Sequence, residues 1–156
     1  MKRENAWIVT VPIILLFGIA SGWLSNSGYR NYWFDQFRLP SFMPPGWAFP
    51  IAWTILYVLM GVAVARVIAG DGPARRTALA LFGLQLLLNL AWSPIFFGLN
   101  QALAGLVIIL VLILLVAITT ILFWRICRAA GALMVPYLLW LCFAALLNAA
   151  IVHLNP

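Results

Sequence analysis

Gln85, Asn89, Trp92 and Phe96 recur at steps of four, three and four residues. A helix places such residues on one face. Two of them are amides, inside a run otherwise apolar enough to lie in a membrane. An unpaired amide costs free energy in hydrocarbon, so this face is expected to look at other helices or at a ligand. Two more faces have the same character. Trp47, Pro50, Trp53 and Tyr57 step by three, three and four, with Phe49 beside them, and Tyr137, Trp140, Ala144 and Asn148 step by three, four and four. Nothing here resembles acid–base or nucleophilic machinery. Indoles, phenols and amides offer stacking on flat apolar surfaces and hydrogen bonds to polar edges.

The elements that carry these faces follow from composition. Of the 156 residues, 66% are hydrophobic and 8% charged, with a mean hydropathy of +1.10. Soluble domains average about 25% charged residues, so the chain is an integral membrane protein. The net charge of +6 does not indicate nucleic acid, because the basic residues stand singly or in pairs between apolar runs. Five apolar segments, at about 6–24, 47–69, 77–97, 102–124 and 132–154, have the roughly 20 residues a spanning helix needs. The predicted fold class is an all-α membrane protein, a single domain over 1–156 built as a bundle of five transmembrane helices. No clean small-x-small cleavage site follows segment 1, so it is read as a retained span. Segment 4 is nearly all aliphatic and reads as a lipid-facing helix.

The connections set the orientation. Lys2, Arg3, Arg66, Arg75, Arg76, Arg125 and Arg128 gather on one side, and only Arg30 and Arg38 on the other. The basic side is expected inside. That puts the N-terminus and the loops 66–76 and 125–131 inside, and the C-terminus and the long loop 25–46 outside. Five aromatic residues lie between Tyr29 and Phe37 of that loop. It reads as a lid, with Trp33, Phe34, Arg30 and Arg38 as its candidate residues, or as an aromatic belt in the membrane interface. Cys127 and Cys142 are read as free. One histidine, and no carboxylate within an apolar segment, leave no metal site in view.

At ~1.5 Å per helical residue, Trp53, Asn89, Trp92 and Asn148 fall about 8–12 Å below the outer surface. Gly18 lies at similar depth and leaves room, with Tyr57 and Trp140 deeper. The pattern fits a pocket beneath the long loop, and equally fits aromatics packing on one another with amides bonded across helices.

Three stretches carry a resemblance. They are Pro44-Pro45-Gly46-Trp47 with Trp53-Thr54-Ile55-Leu56-Tyr57 and Met60-Gly61; Gln85, Asn89 and Trp92-Ser93-Pro94-Ile95-Phe96-Phe97-Gly98; and Val135-Pro136-Tyr137, Trp140, Phe143-Ala144 and Leu147-Asn148. In order and spacing they resemble the translocator protein family (TspO/MBR, or tryptophan-rich sensory proteins, formerly peripheral benzodiazepine receptors). The resemblance implies a five-helix bundle, often a homodimer. It implies binding of porphyrins such as protoporphyrin IX or haem, and of isoquinoline and benzodiazepine compounds, with no obligatory cofactor. The family's pocket residues correspond to Trp53, Asn89, Trp92, Trp140, Phe143, Ala144 and Leu147. The tryptophans linked to light-dependent porphyrin breakdown in some bacterial members correspond to Trp53 and Trp140.

The chain departs from the family pattern in places. Phe42 stands for the tryptophan before Pro-Pro, Gly46 for an animal histidine, and Ala104 for an animal pocket tryptophan. Ala149 and His153 replace the Tyr and Arg of the C-terminal cholesterol motif, which argues against cholesterol as a partner. The expected function is a tetrapyrrole-binding translocator or sensor in the lipid bilayer of a bacterial membrane. A porphyrin-degrading enzyme and a lipid- or sterol-binding transport protein are the alternatives. No intramembrane charge is present to couple ion flow.

Overall fold

The computed structural model describes residues 5–156, so Lys2 and Arg3 of the basic side lie outside the described residues. Five helices are long and apolar enough to cross a membrane, and there is no strand among the described residues. The elements are α1 (Trp7–Leu24), a one-turn α2 (Tyr32–Asp35), α3 (Ala48–Ala69), α4 (Arg75–Ser93), α5 (Ala102–Ile126) and α6 (Arg128–Leu154). The five long helices close into a ring: α1 packs on α3, α3 on α6, α6 on α5, α5 on α4, and α4 returns to α1.

Close approaches between helices occur where side chains are small. A Cβ on Gly61 of α3 would come within 2.7 Å of the Val11 backbone of α1. There the Thr10 hydroxyl donates to the Gly61 carbonyl at 2.7 Å. On the other flank of α1, Ser21 repairs a defect made by a proline. Pro94 has no N–H to give the Leu90 carbonyl four residues back. The Ser21 hydroxyl donates to that carbonyl at 2.6 Å instead. Beyond Ser93 the chain widens into a π-helical turn, Pro94–Gly98, in which Leu99 N–H reaches Pro94 O at 2.9 Å.

Two expectations are corrected. Segment 4 is not simply lipid-facing. Gly105, Ile109, Leu112, Val116, Thr119 and Phe123 are buried at alternating steps of four and three, against α4 and α6, while Leu103, Val107, Leu110, Leu114, Ile118 and Ile121 are exposed. An all-aliphatic helix hides this division, because both faces read alike. The stretch 125–131 is also not an open loop. Only Cys127 interrupts the helices, since no proline breaks the run. Gly131 lets Trp124 lie on the first turn of α6, where a Cβ would meet its ring at 2.6 Å. Consequently α6 begins at Arg128 rather than 132, and α5 extends to Ile126; α4 likewise starts at Arg75 rather than 77.

The long connection 25–46 is anchored at three places. Asn31 caps α2, its Oδ1 accepting from Trp33 N and Phe34 N at 3.1 and 3.2 Å, and its Nδ2 donates to Asn26 O at 3.1 Å. Phe34 is buried against Phe96 and Phe97 of the π-helical turn. At the far end Arg38 and Asn155 exchange two hydrogen bonds, Arg38 N to Asn155 Oδ1 at 2.9 Å and Asn155 Nδ2 to Arg38 O at 3.1 Å.

Candidate ligand cavity

The ring of helices encloses a cavity of about 740 Å³ at the end covered by the long connection. This lies within the usual range for small-molecule sites, about 300–1,000 Å³. Every span contributes. Gly18 and Ser21 come from α1, Trp53 and Tyr57 from α3, Asn89 and Trp92 from α4, Ile109 and Leu112 from α5, and Trp140, Ala144, Leu147 and Asn148 from α6. Trp47 and Phe49 line the rim, together with Tyr29, Arg30 and Phe34 of the lid.

Aromatic rings from the long connection, α3, α4, the π-helical turn and α6 line the wall. Trp53 stacks on Tyr57 at 5.4 Å and meets Trp140 edge to face at 6.3 Å; Phe49 meets Trp140 at 6.0 Å. On the opposite wall Trp92 stacks on Phe96 at 4.9 Å. The lid joins this set through Tyr29, whose ring lies 5.6 Å from Phe34 and 6.4 Å from Phe49. Its hydroxyl donates to Pro44 O at 2.6 Å. Gly46 makes room for that ring, since a Cβ would meet it at 2.9 Å. Partial burial raises the Tyr29 phenol above its ordinary pKa, so the group stays a neutral donor at physiological pH.

Four buried polar side chains form one chain. Tyr57 Oη donates to Asn89 Oδ1 at 3.1 Å, Asn89 Nδ2 to Tyr137 Oη at 3.0 Å, and Tyr137 Oη to Gln85 Oε1 at 3.1 Å. Tyr57 and Asn89 touch the cavity; Tyr137 and Gln85 are sealed behind it. The amide of Asn148 is committed to the start of α5. With its nitrogen turned to Ala102 O (3.0 Å), its oxygen accepts from Leu106 N at 3.1 Å. Trp92 Nε1 and Ser93 Oγ are buried and unpartnered. Among the described residues the rim carries one cation, Arg30, exposed to solvent.

Most of the residues expected at a pocket therefore lie on one cavity, and three do not. Phe143 faces the outer groove between α3 and α6, beside Ile55 and Leu139. Trp33 packs on Phe37 and Phe96. Arg38 is held against the C-terminus by its backbone. Tyr137, the hinge of the polar chain, lies on the Trp140 face that the spacing picks out, but nothing in the sequence marks it as the link between Asn89 and Gln85. Ile109 and Leu112 carry no signal in an aliphatic helix.

Residues 9–154 match the profile of the TspO/MBR family. The chain is 38% identical to the tryptophan-rich protein TspO of Chlorobaculum tepidum, covering 97% of this chain and 99% of the relative. It is 40% identical to protein CrtK of Rhodobacter capsulatus, over 80% and 79%. It is 35% identical to the translocator protein of Homo sapiens, over 83% and 78%.

Proposed function

The chain belongs to the TspO/MBR family, and from that premise we propose that it is a membrane receptor or carrier for a flat tetrapyrrole of the protoporphyrin IX or haem type. The observation that supports this reading most is the aromatic cavity of about 740 Å³ roofed by the lid. Its walls suit a wide planar body, which is desolvated against indole and phenol faces. Its polar groups are few, as in small-molecule sites generally. Arg30 at the rim supplies a cation for a carboxylate at the ligand's edge, while Arg38 does not line the cavity. Isoquinoline- and benzodiazepine-type compounds, smaller and equally flat, fit the same description. In the bilayer the basic loops face inward and the lid outward, in a bacterial membrane, with the protein acting as a homodimer.

Titration of the detergent-solubilised protein with protoporphyrin IX, followed by tryptophan quenching, tests the proposal. Saturable binding in the micromolar range is expected; its absence would overturn it. A second reading, light-dependent porphyrin degradation, draws on the placement of Trp53 and Trp140 at 6.3 Å on one cavity wall. Illumination of the complex with product analysis separates the two. The degrading reading fails if Trp53→Phe and Trp140→Phe leave the bleaching rate unchanged.

A further inference from the structure

The polar chain behind the cavity has a property that a simple brace does not need. Each of its three bonds runs the same way, from Tyr57 through Asn89 and Tyr137 to Gln85. Gln85 is fully buried, and its Nε2 is left without a partner. In this direction Tyr57, a cavity-lining residue, has given its hydrogen to Asn89 and has only oxygen lone pairs left to offer. It therefore presents an acceptor.

The same heavy atoms support the opposite direction. An amide carries a donor and an acceptor of nearly equal shape, and a phenol is both at one oxygen. With both amides turned over, Gln85 Nε2 donates to Tyr137, Tyr137 donates to Asn89 Oδ1, and Asn89 Nδ2 donates to Tyr57. All three bonds are kept. The unpaired group becomes Gln85 Oε1 instead of Nε2, and the Tyr57 O–H, no longer used by Asn89, is left as a donor for a ligand. Since the internal bonds number the same either way, one hydrogen bond from a ligand is enough to select the direction. The bonds lie away from water, where they polarise one another.

We propose that Tyr57, Asn89, Tyr137 and Gln85 form a reversible hydrogen-bond relay that lets the cavity recognise flat ligands carrying either an N–H or O–H donor or an oxygen or nitrogen acceptor at the Tyr57 position. This rests on the cavity being a site for flat aromatic ligands. The relay makes Tyr57 the residue that reads the ligand's polar group. Tyr137 and Gln85 are positioning residues that touch no ligand.

Three tricyclic probes of one shape test it: fluorene (a methylene bridge), carbazole (an N–H donor) and dibenzofuran (an oxygen acceptor). In tryptophan-quenching titrations, carbazole and dibenzofuran each bind the native protein about three- to tenfold more tightly than fluorene, the worth of one net hydrogen bond. Tyr57→Phe removes both advantages. Gln85→Met leaves Asn89 Oδ1 as the only strong acceptor for the Tyr137 hydrogen, the thioether sulfur being a weak one, so Tyr57 is held as a donor. Dibenzofuran then keeps its advantage and carbazole loses it. A second readout needs no substitution. With glutamine carbonyls labelled with carbon-13, the Gln85 stretch lies higher with dibenzofuran bound, when Oε1 is free, than with carbazole bound. Equal shifts for all three probes in Gln85→Met, either advantage surviving in Tyr57→Phe, or identical infrared spectra would overturn the relay. If none of the three probes binds saturably, the reading of the cavity itself fails, and the relay with it.

Discussion

At the scale of single residues, Asn89 has the most partners to lose. Asn89→Leu deprives two buried phenols of their shared partner, and stranded polar groups cost about 1–3 kcal/mol. The melting temperature in detergent should fall accordingly; an unchanged value would show that the chain of bonds does not brace the bundle. Gly18 acts on the same chain from the other side. Any Cβ there runs into the Tyr57 ring, so Gly18→Val should displace Tyr57 and weaken binding of flat ligands. Arg30 makes a smaller contribution because it is exposed. Exposed ion pairs are worth about 0.2–1 kcal/mol, so Arg30→Gln should weaken protoporphyrin IX by up to about fivefold. The dimethyl ester, which lacks the charges, should be unaffected; equal losses for both would argue against a carboxylate at the rim. The amides at Gln85 and Asn89 marked this wall from the sequence because they are costly in hydrocarbon. What they bond to was not legible, since Tyr137 reads as one more aromatic on an aromatic face. Asn148 looked like a polar contact for a ligand, and its distance from the α5 backbone is a fact of three dimensions only.

At the scale of elements, the lid is held by Asn31 and Asn155 rather than by its aromatics alone. Asn31→Ala removes the cap of α2 at a cost of about 1 kcal/mol. Hydrogen exchange over residues 32–37 should accelerate while the spanning helices stay protected. Unchanged exchange would mean that Phe34, buried on Phe96 and Phe97, anchors the lid by itself. The helices were legible from their lengths and from Pro44-Pro45-Gly46, which suits a loop turning into a helix. Their ends at 124–132 were not, because arginines mark a membrane boundary without stopping a helix. The π-helical turn follows from Pro94, but its repair by Ser21 joins residues 69 apart, beyond any local pattern.

At the scale of the whole molecule, five spans put the C-terminus and the Gly72 turn on opposite faces of the membrane. Gly72 has a φ of +143°, which few other residues adopt, so a tag is better placed beside it than in its stead. A tag after Asp71 should be protected in right-side-out vesicles, and a C-terminal tag should be open to protease; the reverse pattern would contradict the basic-side-inward orientation. Which way the spans associate around the cavity was not legible, because neighbours in the ring, such as α3 and α6, are far apart in sequence. Depth counting placed Trp53, Asn89, Trp92 and Asn148 at one level with Trp140 deeper, and all five line the cavity; such counting works where helices cross a slab of fixed thickness. A tetrapyrrole held in this cavity, and not on the outer surface, is excluded by bulk added inside it. Ala144 lines the cavity on α6, and Ala144→Trp would push an indole into it and obstruct a wide planar ligand. Parallel protoporphyrin IX titrations of the native protein and this variant, both shown to melt cooperatively, test this most directly. Micromolar saturable quenching is expected in the first and its loss in the second; equal binding by both would place the tetrapyrrole outside the cavity.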